Sequence, residues 1–430
     1  MEVKGEAHLG ISTLTYLLDI IPYTKNPDFV GRTEILNWLT SQLKFTQETS
    51  GLVQTRVALY GLGGTGKTQI ALEFALRLQQ TRSNISILWV HASSTQRFRQ
   101  AFASIAQAFE IPGFEDPKQD LLLLVKNWLM EKTHGEWIMI IDNADDVELF
   151  FGQPSETVTD TTEPKNLSQY LPECPHGSLL ITTRNKQAAV RLTKGRGFIE
   201  VPRMNDIEAV KLLRSSLDDA ETTSADLSAL SSYLEHLPLA LAQAAAYIKE
   251  TTITIKKYLK LLGDSDCENK MTHLLSKEFE TAGRDSQTPK AVIRTWMLSF
   301  QQIERQHPLA SELLSFMSLL DRQDIPEEFI SYYSEKESES GTTNEMELLD
   351  AMGLLKAFSF VTENTDGGFN MHRLIQLATR KWLASRDTIG QFSSKALKIV
   401  ANMYPSENYE ENRNICIRYL SHANVPANVI

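Results

Sequence analysis

Cysteine and long hydrophobic runs are both scarce in this chain of 430 residues. The three cysteines, Cys174, Cys267 and Cys416, lie far apart and match no metal-binding spacing, which predicts reduced thiols. No stretch approaches the ~20 consecutive apolar residues that span a bilayer. The segment Leu9–Ile21 lacks the basic start of a signal peptide, and we interpret it as a helix or docking segment. The sequence therefore predicts a cytoplasmic protein that does not contact a membrane.

Positive charge is also in short supply, with 43 basic against 54 acidic residues and a net charge of −11. This balance argues against a nucleic acid or an anionic membrane as the main partner. The hydrophobic fraction of 42% is ordinary for a globular protein and allows a sizeable core. The length suits two to four domains.

Short apolar runs alternate with helical patterns from Val57 to Val201, and Thr68–Gln79 shows the helical spacing. Such runs, apolar on both faces and separated by helices, predict a parallel sheet covered on both sides. The polar run Gly152–Asn166 predicts a surface loop or a disordered insertion. Five runs read as strands: Val57–Tyr60, Ile85–Val90, Trp137–Ile141, Ser178–Thr182 and Phe198–Val201.

After Pro202 the strand pattern stops, and four short helices predict a small helical domain that ends near the polar stretch Glu278–Pro289. Three further helices, a hairpin with its turn at Glu363–Gly367 and a closing helix then predict a winged-helix module. The predicted helices of both domains are Asp206–Leu217, Asp226–His236, Leu239–Ile248, Ile255–Leu262, Lys290–Gln302, Leu309–Leu319, Met346–Phe358 and His372–Ala384. The hairpin strands are Ser359–Val361 and Gly368–Met371.

The segment Gly61–Thr68 fits the pattern G-x-x-x-x-G-K-[ST] and lies between a predicted strand and a predicted helix. Glycines at this place let backbone N–H groups converge on phosphates at the positive end of the helix. Lys67 supplies a cation for the β- and γ-phosphates, and Thr68 supplies a hydroxyl ligand for Mg²⁺. The predicted nucleotide-binding set from this motif is Gly61, Gly63, Gly64, Thr65, Gly66, Lys67, Thr68 and Gln69.

The apolar strand Trp137–Ile141 is followed by Asp142, which has the form of a Walker B element and predicts a second Mg²⁺ ligand beside Thr68. Asn143 follows where many ATPases carry an acid that activates water. Because an amide cannot accept that proton, the general base is missing from its usual place. Asp145 and Asp146 lie past the strand end and are possible substitutes.

Arg184 follows the strand-like run Ser178–Thr182 after one further threonine. Its guanidinium could sense a γ-phosphate through its planar set of donors. An ion-paired arginine at a sheet edge fits the same pattern equally well. With Lys67 and Asp142, Arg184 completes the predicted catalytic set.

Six segments occur in the order of an NB-ARC module, the nucleotide-binding core of STAND-type ATPases. They are Phe29–Arg32, the P-loop, Ile140–Asp146, Leu179–Arg184, His236–Ala240 and Met371–Arg373. The chain resembles such a module from about Phe29 to Ala384. The amino-acid sequences of the Walker B region and of Met371–Leu383 are most similar to those of fungal NOD-like receptors.

This resemblance implies that Val30 and Arg32 contact adenine, that Pro238 packs against the base and that His372 binds the β-phosphate of ADP. A helix-start proline and a structural histidine would suit the last two positions as well. Arg373 replaces an aspartate usual in plant members, so the contact of that acid does not carry over. Asn143 replaces the second acid, so the resemblance does not imply fast hydrolysis.

The resulting fold prediction is an α/β P-loop NTPase domain, with helices on both faces of a parallel sheet, then a small helical domain and a winged-helix domain. The predicted boundaries are 1–28 for an N-terminal segment, 29–202, 203–285 and 286–385 for the domains, and 386–430 for a helical tail that could begin C-terminal repeats. The family usually adds an effector domain and a repeat array, and both ends here are short for these, which predicts a fragment of a longer protein.

The predicted function is a regulated switch that binds ADP or ATP with Mg²⁺. It is closed with ADP, opens toward homo-oligomers with ATP, and acts on an unknown effector domain or protein. One alternative is a cycling motor or chaperone ATPase, which Asn143 counts against. Another is a winged-helix transcription regulator, but residues 286–385 hold 14 acidic and 9 basic residues, the wrong sign for reading DNA.

Overall fold

The computed structural model describes residues 18–43, 53–82, 84–152, 166–217, 223–263, 292–337, 345–364 and 367–405, with six single residues between 415 and 426. Several sequence predictions fall wholly or partly outside these residues: the start of Leu9–Ile21, most of the polar loop Gly152–Asn166, the boundary Glu278–Pro289 and much of the tail after residue 405. No helix in the described part of the chain is long and apolar enough to cross a membrane.

Six parallel strands form the central sheet in the order β1-β3-β4-β5-β2-β6. The strands are β1 Asp19–Ile20, β2 Thr55–Tyr60, β3 Ile85–His91, β4 Glu136–Asp142, β5 Gly177–Thr183 and β6 Phe198–Glu200. The inner strands are almost wholly buried, as expected when both faces are covered. The prediction of a parallel sheet is therefore confirmed.

Six helices belong to the sheet region (residues 18–201): α1 Thr33–Leu43, α2 Lys67–Thr81, α3 Thr95–Ala108, α4 Leu121–Met130, α5 Val147–Phe151 and α6 Lys186–Leu192. Two separate apolar cores fill the two faces of the sheet. The side chains of Ser94, Asp120 and Asn185 accept backbone N–H bonds at the starts of α3, α4 and α6, which fixes where those helices begin.

At its described end, Leu9–Ile21 is not a helix. Asp19 and Ile20 form β1 beside β3, where the Ile87 N–H donates to Leu18 O at 3.1 Å. The cause is the edge of β3, whose unpaired backbone groups select an extended segment. Of the two interpretations, the helix is therefore wrong at this end, where pairing between distant segments decides the conformation, and the described residues dock on the edge of the sheet.

The first helical region contains α7 Asp206–Leu217, α8 Ser224–Tyr233, α9 Pro238–Thr251 and α10 Ile255–Gly263. The prediction of a helix over Asp226–His236 runs too far. Glu235 and His236 have φ of 52° and 56°, and this left-handed backbone stops the helix.

The second helical region contains α11 Val292–Gln306, α12 Pro308–Ser318, α13 Glu327–Glu337, α14 Glu345–Ala357, α15 Arg373–Ala384 and α16 Ile389–Met403. An antiparallel hairpin of β7 Val361–Glu363 and β8 Phe369–Met371 lies between α14 and α15. The predicted order of helices, hairpin and helix is present, with α13 as an additional helix. The winged-helix designation stays a prediction.

Candidate functional site

The P-loop joins β2 to α2 and has a backbone that only glycine adopts easily. Gly64 and Gly66 have φ of 94° and 93°, in the left-handed region. At Gly64, a side chain would also lie about 3.1 Å from Leu239 of the first helical region. This glycine therefore permits both the turn and the close approach of α9.

Lys67 lies inside the P-loop, where its ammonium donates to Gly61 O at 2.7 Å and to Leu62 O at 2.9 Å. Burial lowers the pKa of Lys67 from 10.5 to about 7. The nearby Asp145 carboxylate opposes this effect, and the Arg184 guanidinium adds to it. Lys67 is thus a desolvated cation at the start of α2, a setting in which an anion would be bound strongly.

Asp142 is fully buried at the end of β4 and accepts two hydroxyl hydrogen bonds at Oδ1, from Thr68 at 2.8 Å and from Thr182 at 2.6 Å. Asn143 donates its side-chain N–H to Asp142 Oδ2 at 3.1 Å. Burial raises the pKa of Asp142, and the two hydroxyl bonds counteract this by favouring the carboxylate. Thr68 and Asp142, predicted from separate motifs, are therefore direct neighbours.

Arg184 lines the same cleft, but its side chain already has partners. Its Nε lies 3.3 Å from Asp145 Oδ2, and its Nη1 donates to Ser299 Oγ of α11 at 2.9 Å. This ion pair also engages Asp145, one of the two possible substitutes for the missing base. The other, Asp146, caps α5.

Arg32 is buried and has φ of 59°. Its guanidinium donates to Thr65 O at 3.1 Å and to Arg203 O at 3.2 Å. Its backbone N–H donates to Glu208 Oε1 of α7 at 2.7 Å. Arg32 therefore connects the P-loop to the first helical region.

A cleft runs from the P-loop to the start of α9 and is lined by both regions. Pro238 lines it, as predicted, at the first turn of α9. Sequence reasoning missed several lining residues, most of which lie outside the six motifs, although Leu239 belongs to His236–Ala240. The predicted residues in the lining are Val30, Arg32, Gly63, Gly64, Thr65, Gly66, Lys67, Thr68, Gln69, Asp142, Arg184 and Pro238. The missed ones include Tyr23, Asn26, Asp28, Met204, Leu212, Leu239 and Ala242.

Three comparisons with known proteins bear on this chain. Residues 301–388 match the family described as a domain of unknown function, DUF7779. A curated nucleotide-binding leucine-rich repeat (NLR)-like protein from Hyaloscypha variabilis is 36% identical over 407 residues, which cover 94% of this chain and 40% of that protein. The chain thus spans less than half the length of this relative.

Among solved structures, the ORC2 protein of Aeropyrum pernix in its ADPNP–ADP complexes matches with a TM-score of 0.50. The identity is 13%, and the match covers 85% of this chain and 97% of that one. At that identity the match shows the fold alone. The chain is a relative of NLR-like proteins and has a P-loop ATPase fold. The resemblance inferred from the motifs is confirmed.

In this chain, Thr68 and Asp142 fit the protein side of a Mg²⁺ site. They bring a hydroxyl and a carboxylate oxygen within 2.8 Å of each other, and oxygen is the ligand that Mg²⁺ prefers. Among the described residues, no group of three or more His, Cys, Asp or Glu side chains could hold a metal. A Mg²⁺ ion here would depend on phosphate oxygens for further ligands.

His372 is buried at the start of α15 and is not among the residues that line the cleft. Its Nδ1 accepts the Leu374 N–H at 3.1 Å, and its Nε2 lies 3.1 Å from Glu235 Oε2 without hydrogen-bond geometry. Burial and the cations Arg203 and Arg322 lower the pKa of His372 well below 6.5. The imidazole is therefore neutral at pH 7.

Glu235 joins Arg203, which lies just before α7, to Arg322 of the second helical region beside His372. Its carboxylate accepts from Arg203 at 3.0 Å and from Arg322 at 3.1 Å. Arg373, which replaces the aspartate of plant members, lies over the Tyr233 ring and donates to its hydroxyl at 3.2 Å. Both contacts join the second helical region to the turn between α8 and α9.

Trp296 lies far from every one of the six motifs in the sequence. It is fully buried in α11, and its indole N–H donates to Gly63 O of the P-loop at 3.0 Å. Its sequence neighbours show only a helical apolar pattern, which is typical of any core tryptophan. No sequence signal could have placed it against the P-loop.

Proposed function

We propose that this chain is the nucleotide-binding core of a signalling switch that binds ADP or ATP with Mg²⁺ and hydrolyses ATP slowly. The observation that carries the proposal is the composition of the cleft. It combines a P-loop and the Thr68–Asp142 pair of the sheet region with Pro238 and Leu239 of the first helical region. A ligand that contacts both regions stabilises the arrangement in which those contacts coexist.

Slow hydrolysis fits the groups around the predicted γ-phosphate position. The Asn143 amide is bound to Asp142, and Asp145 is bound to Arg184. Neither provides a carboxylate held ready to take a proton from water. This arrangement favours a switch over a rapidly cycling motor.

The helix before the hairpin, α14, does not suit DNA. Its exposed positions include Glu345, Glu347 and Asp350, together with the apolar Met346 and Leu349. Carboxylates on the surface of a recognition helix would repel phosphates. The switch therefore remains the function that the geometry supports best, with a homo-oligomer and an effector protein as its proposed partners.

Within this proposal, His372 is a latch that holds the second helical region closed while ADP is bound. Its support is the neutral Nε2–H, buried next to Glu235 without a hydrogen bond. Such an unsatisfied donor would gain from a phosphate oxygen. The family resemblance supplies that assignment; in this structure the Nε2 of His372 faces Glu235, and the residue does not line the cleft.

The test is calorimetric titration of ADP into the wild type and into Lys67→Ala. Removal of the buried cation should weaken binding by at least tenfold, because charge-assisted contacts contribute roughly 1.5–3 kcal/mol each. Lys118→Ala, at an exposed position outside the cleft, is the matched control and should bind normally. Equal affinity for the wild type and Lys67→Ala would refute the proposal.

A further inference from the structure

The carbonyl groups of the P-loop are all engaged by donors within the protein. Lys67 Nζ binds the carbonyls of Gly61 and Leu62. The next three carbonyls accept one donor each: Gly63 O from Trp296 Nε1 at 3.0 Å, Gly64 O from the Leu239 N–H at 3.1 Å and Thr65 O from Arg32 Nη2 at 3.1 Å. The loop is thus held by a hydrogen bond at each successive peptide.

Two of these donors come from outside the sheet region. Leu239 belongs to α9 of the first helical region, and Trp296 to α11 of the second. Trp296 lies 233 positions from Gly63 in the sequence and is fully buried in the core that the two helical regions share. The shape of the P-loop therefore depends on how both regions are docked.

The orientation of the Gly63–Gly64 peptide matters for anion binding. In a trans peptide the C=O and the following N–H point in opposite directions. When Trp296 holds Gly63 O, the Gly64 N–H points away from Trp296, and both glycines line the cleft. Glycine peptides rotate at little steric cost, so without this bond the carbonyl could turn toward the phosphates and repel them.

We propose that Trp296 is a positioning residue of the nucleotide site. It fixes the Gly63–Gly64 peptide in its phosphate-binding orientation, and it thereby couples docking of the second helical region to nucleotide affinity without contacting the nucleotide. This proposal rests on the proposed nucleotide-binding function. The coupling is reciprocal: a docked Trp296 strengthens nucleotide binding, and a bound nucleotide strengthens docking.

The test replaces Trp296 with its isostere 3-benzothienylalanine, in which sulfur takes the place of the N–H, and also uses Trp296→Phe. The isostere keeps the ring volume and removes only the donor, so a buried carbonyl is left without a partner. We expect ADP to bind about tenfold more weakly to both variants in calorimetry. Trp128→Phe changes a half-buried tryptophan of α4 that is not a cleft residue, and it should bind ADP normally.

Hydrogen–deuterium exchange provides a readout that a purely structural role would not change. In the wild type, ADP should slow exchange across α11, and in the isostere variant this protection should be reduced. Unchanged affinity and unchanged ADP protection of α11 in the isostere variant would overturn the proposal, even if Trp296→Phe fails to fold. If the wild type itself does not bind ADP, the proposed function fails instead, so the two failures are distinguishable.

Discussion

Raising the pH through neutrality should weaken ADP binding, because the phosphate site depends on one buried ammonium group. Burial lowers the pKa of Lys67 from 10.5 to about 7, so about half of the free protein carries a neutral amine at pH 7. Anionic phosphates favour the ammonium form. ADP binding is therefore coupled to protonation of the Lys67 amine, so the affinity for ADP falls as the pH rises.

The expected change in ADP affinity with pH follows from this coupling between binding and protonation. Above the pKa of about 7 in the free protein, and below the higher pKa of the complex, affinity falls by up to tenfold per pH unit, or about 1.4 kcal/mol. Because the amine is already half neutral at pH 7, the dissociation constant should rise by up to about 50-fold from pH 7 to pH 9. Below pH 7 the affinity should level off until the phosphate itself protonates, near pH 6.

The stability of the free protein should change in the opposite direction. The folded-state pKa of Lys67 lies below the unfolded value of 10.5, so the unfolded chain binds more protons between these values. Stability therefore rises with pH across that window, by at most about 1.4 kcal/mol per pH unit. Weaker binding at high pH is thus distinguishable from simple unfolding.

The assay is calorimetry at pH 8 in two buffers with different ionisation enthalpies, which gives the number of protons taken up. We expect nearly one proton per ADP, since the Lys67 amine is then mostly neutral in the free protein. Lys118→Ala should give the same number. A dissociation constant that is flat from pH 7 to pH 9, with no proton uptake, would refute the reasoning.

Two further predictions concern turnover and release. Asn143→Asp should raise the slow rate of phosphate release several-fold, because a carboxylate repelled by Asp142 can turn toward water; a rate that stays equal or falls would show that the missing acid is not the limitation. His372→Ala should speed ADP release more than tenfold and increase the radius measured by small-angle scattering, whereas unchanged values for both would make His372 merely structural.

The parts of the fold that could be read from the sequence are those fixed by local pattern. The P-loop needs its glycines and Lys67 within eight consecutive residues. The strand before Asp142 is a continuous apolar run, which only a covered parallel sheet accommodates. Their proximity also followed, because parallel strands bring their carboxyl ends to one edge of the sheet, where Thr68 and Asp142 meet.

The missed features depend on contacts between distant segments. β1 exists because the edge of β3 offers free backbone groups, and α8 ends early because Glu235 turns left-handed. The Glu235 side chain then lies between Arg203, just before α7, and Arg322 of the second helical region. The local sequence around β1, the end of α8 and Glu235 does not determine these contacts. Neither hydrophobic periodicity nor a sequence motif could therefore predict them.

The contacts of Arg184 link both halves of the proposed switch. In this structure the arginine is bound to Asp145 and to Ser299 of α11, the same helix that carries Trp296. A γ-phosphate that drew Arg184 toward itself would compete with the Ser299 bond and so would weaken the docking of α11. ADP lacks that phosphate and leaves the bond in place. The second helical region would thus be held less tightly with ATP than with ADP, through the Arg184 side chain, and this difference between the two nucleotides is what a switch requires.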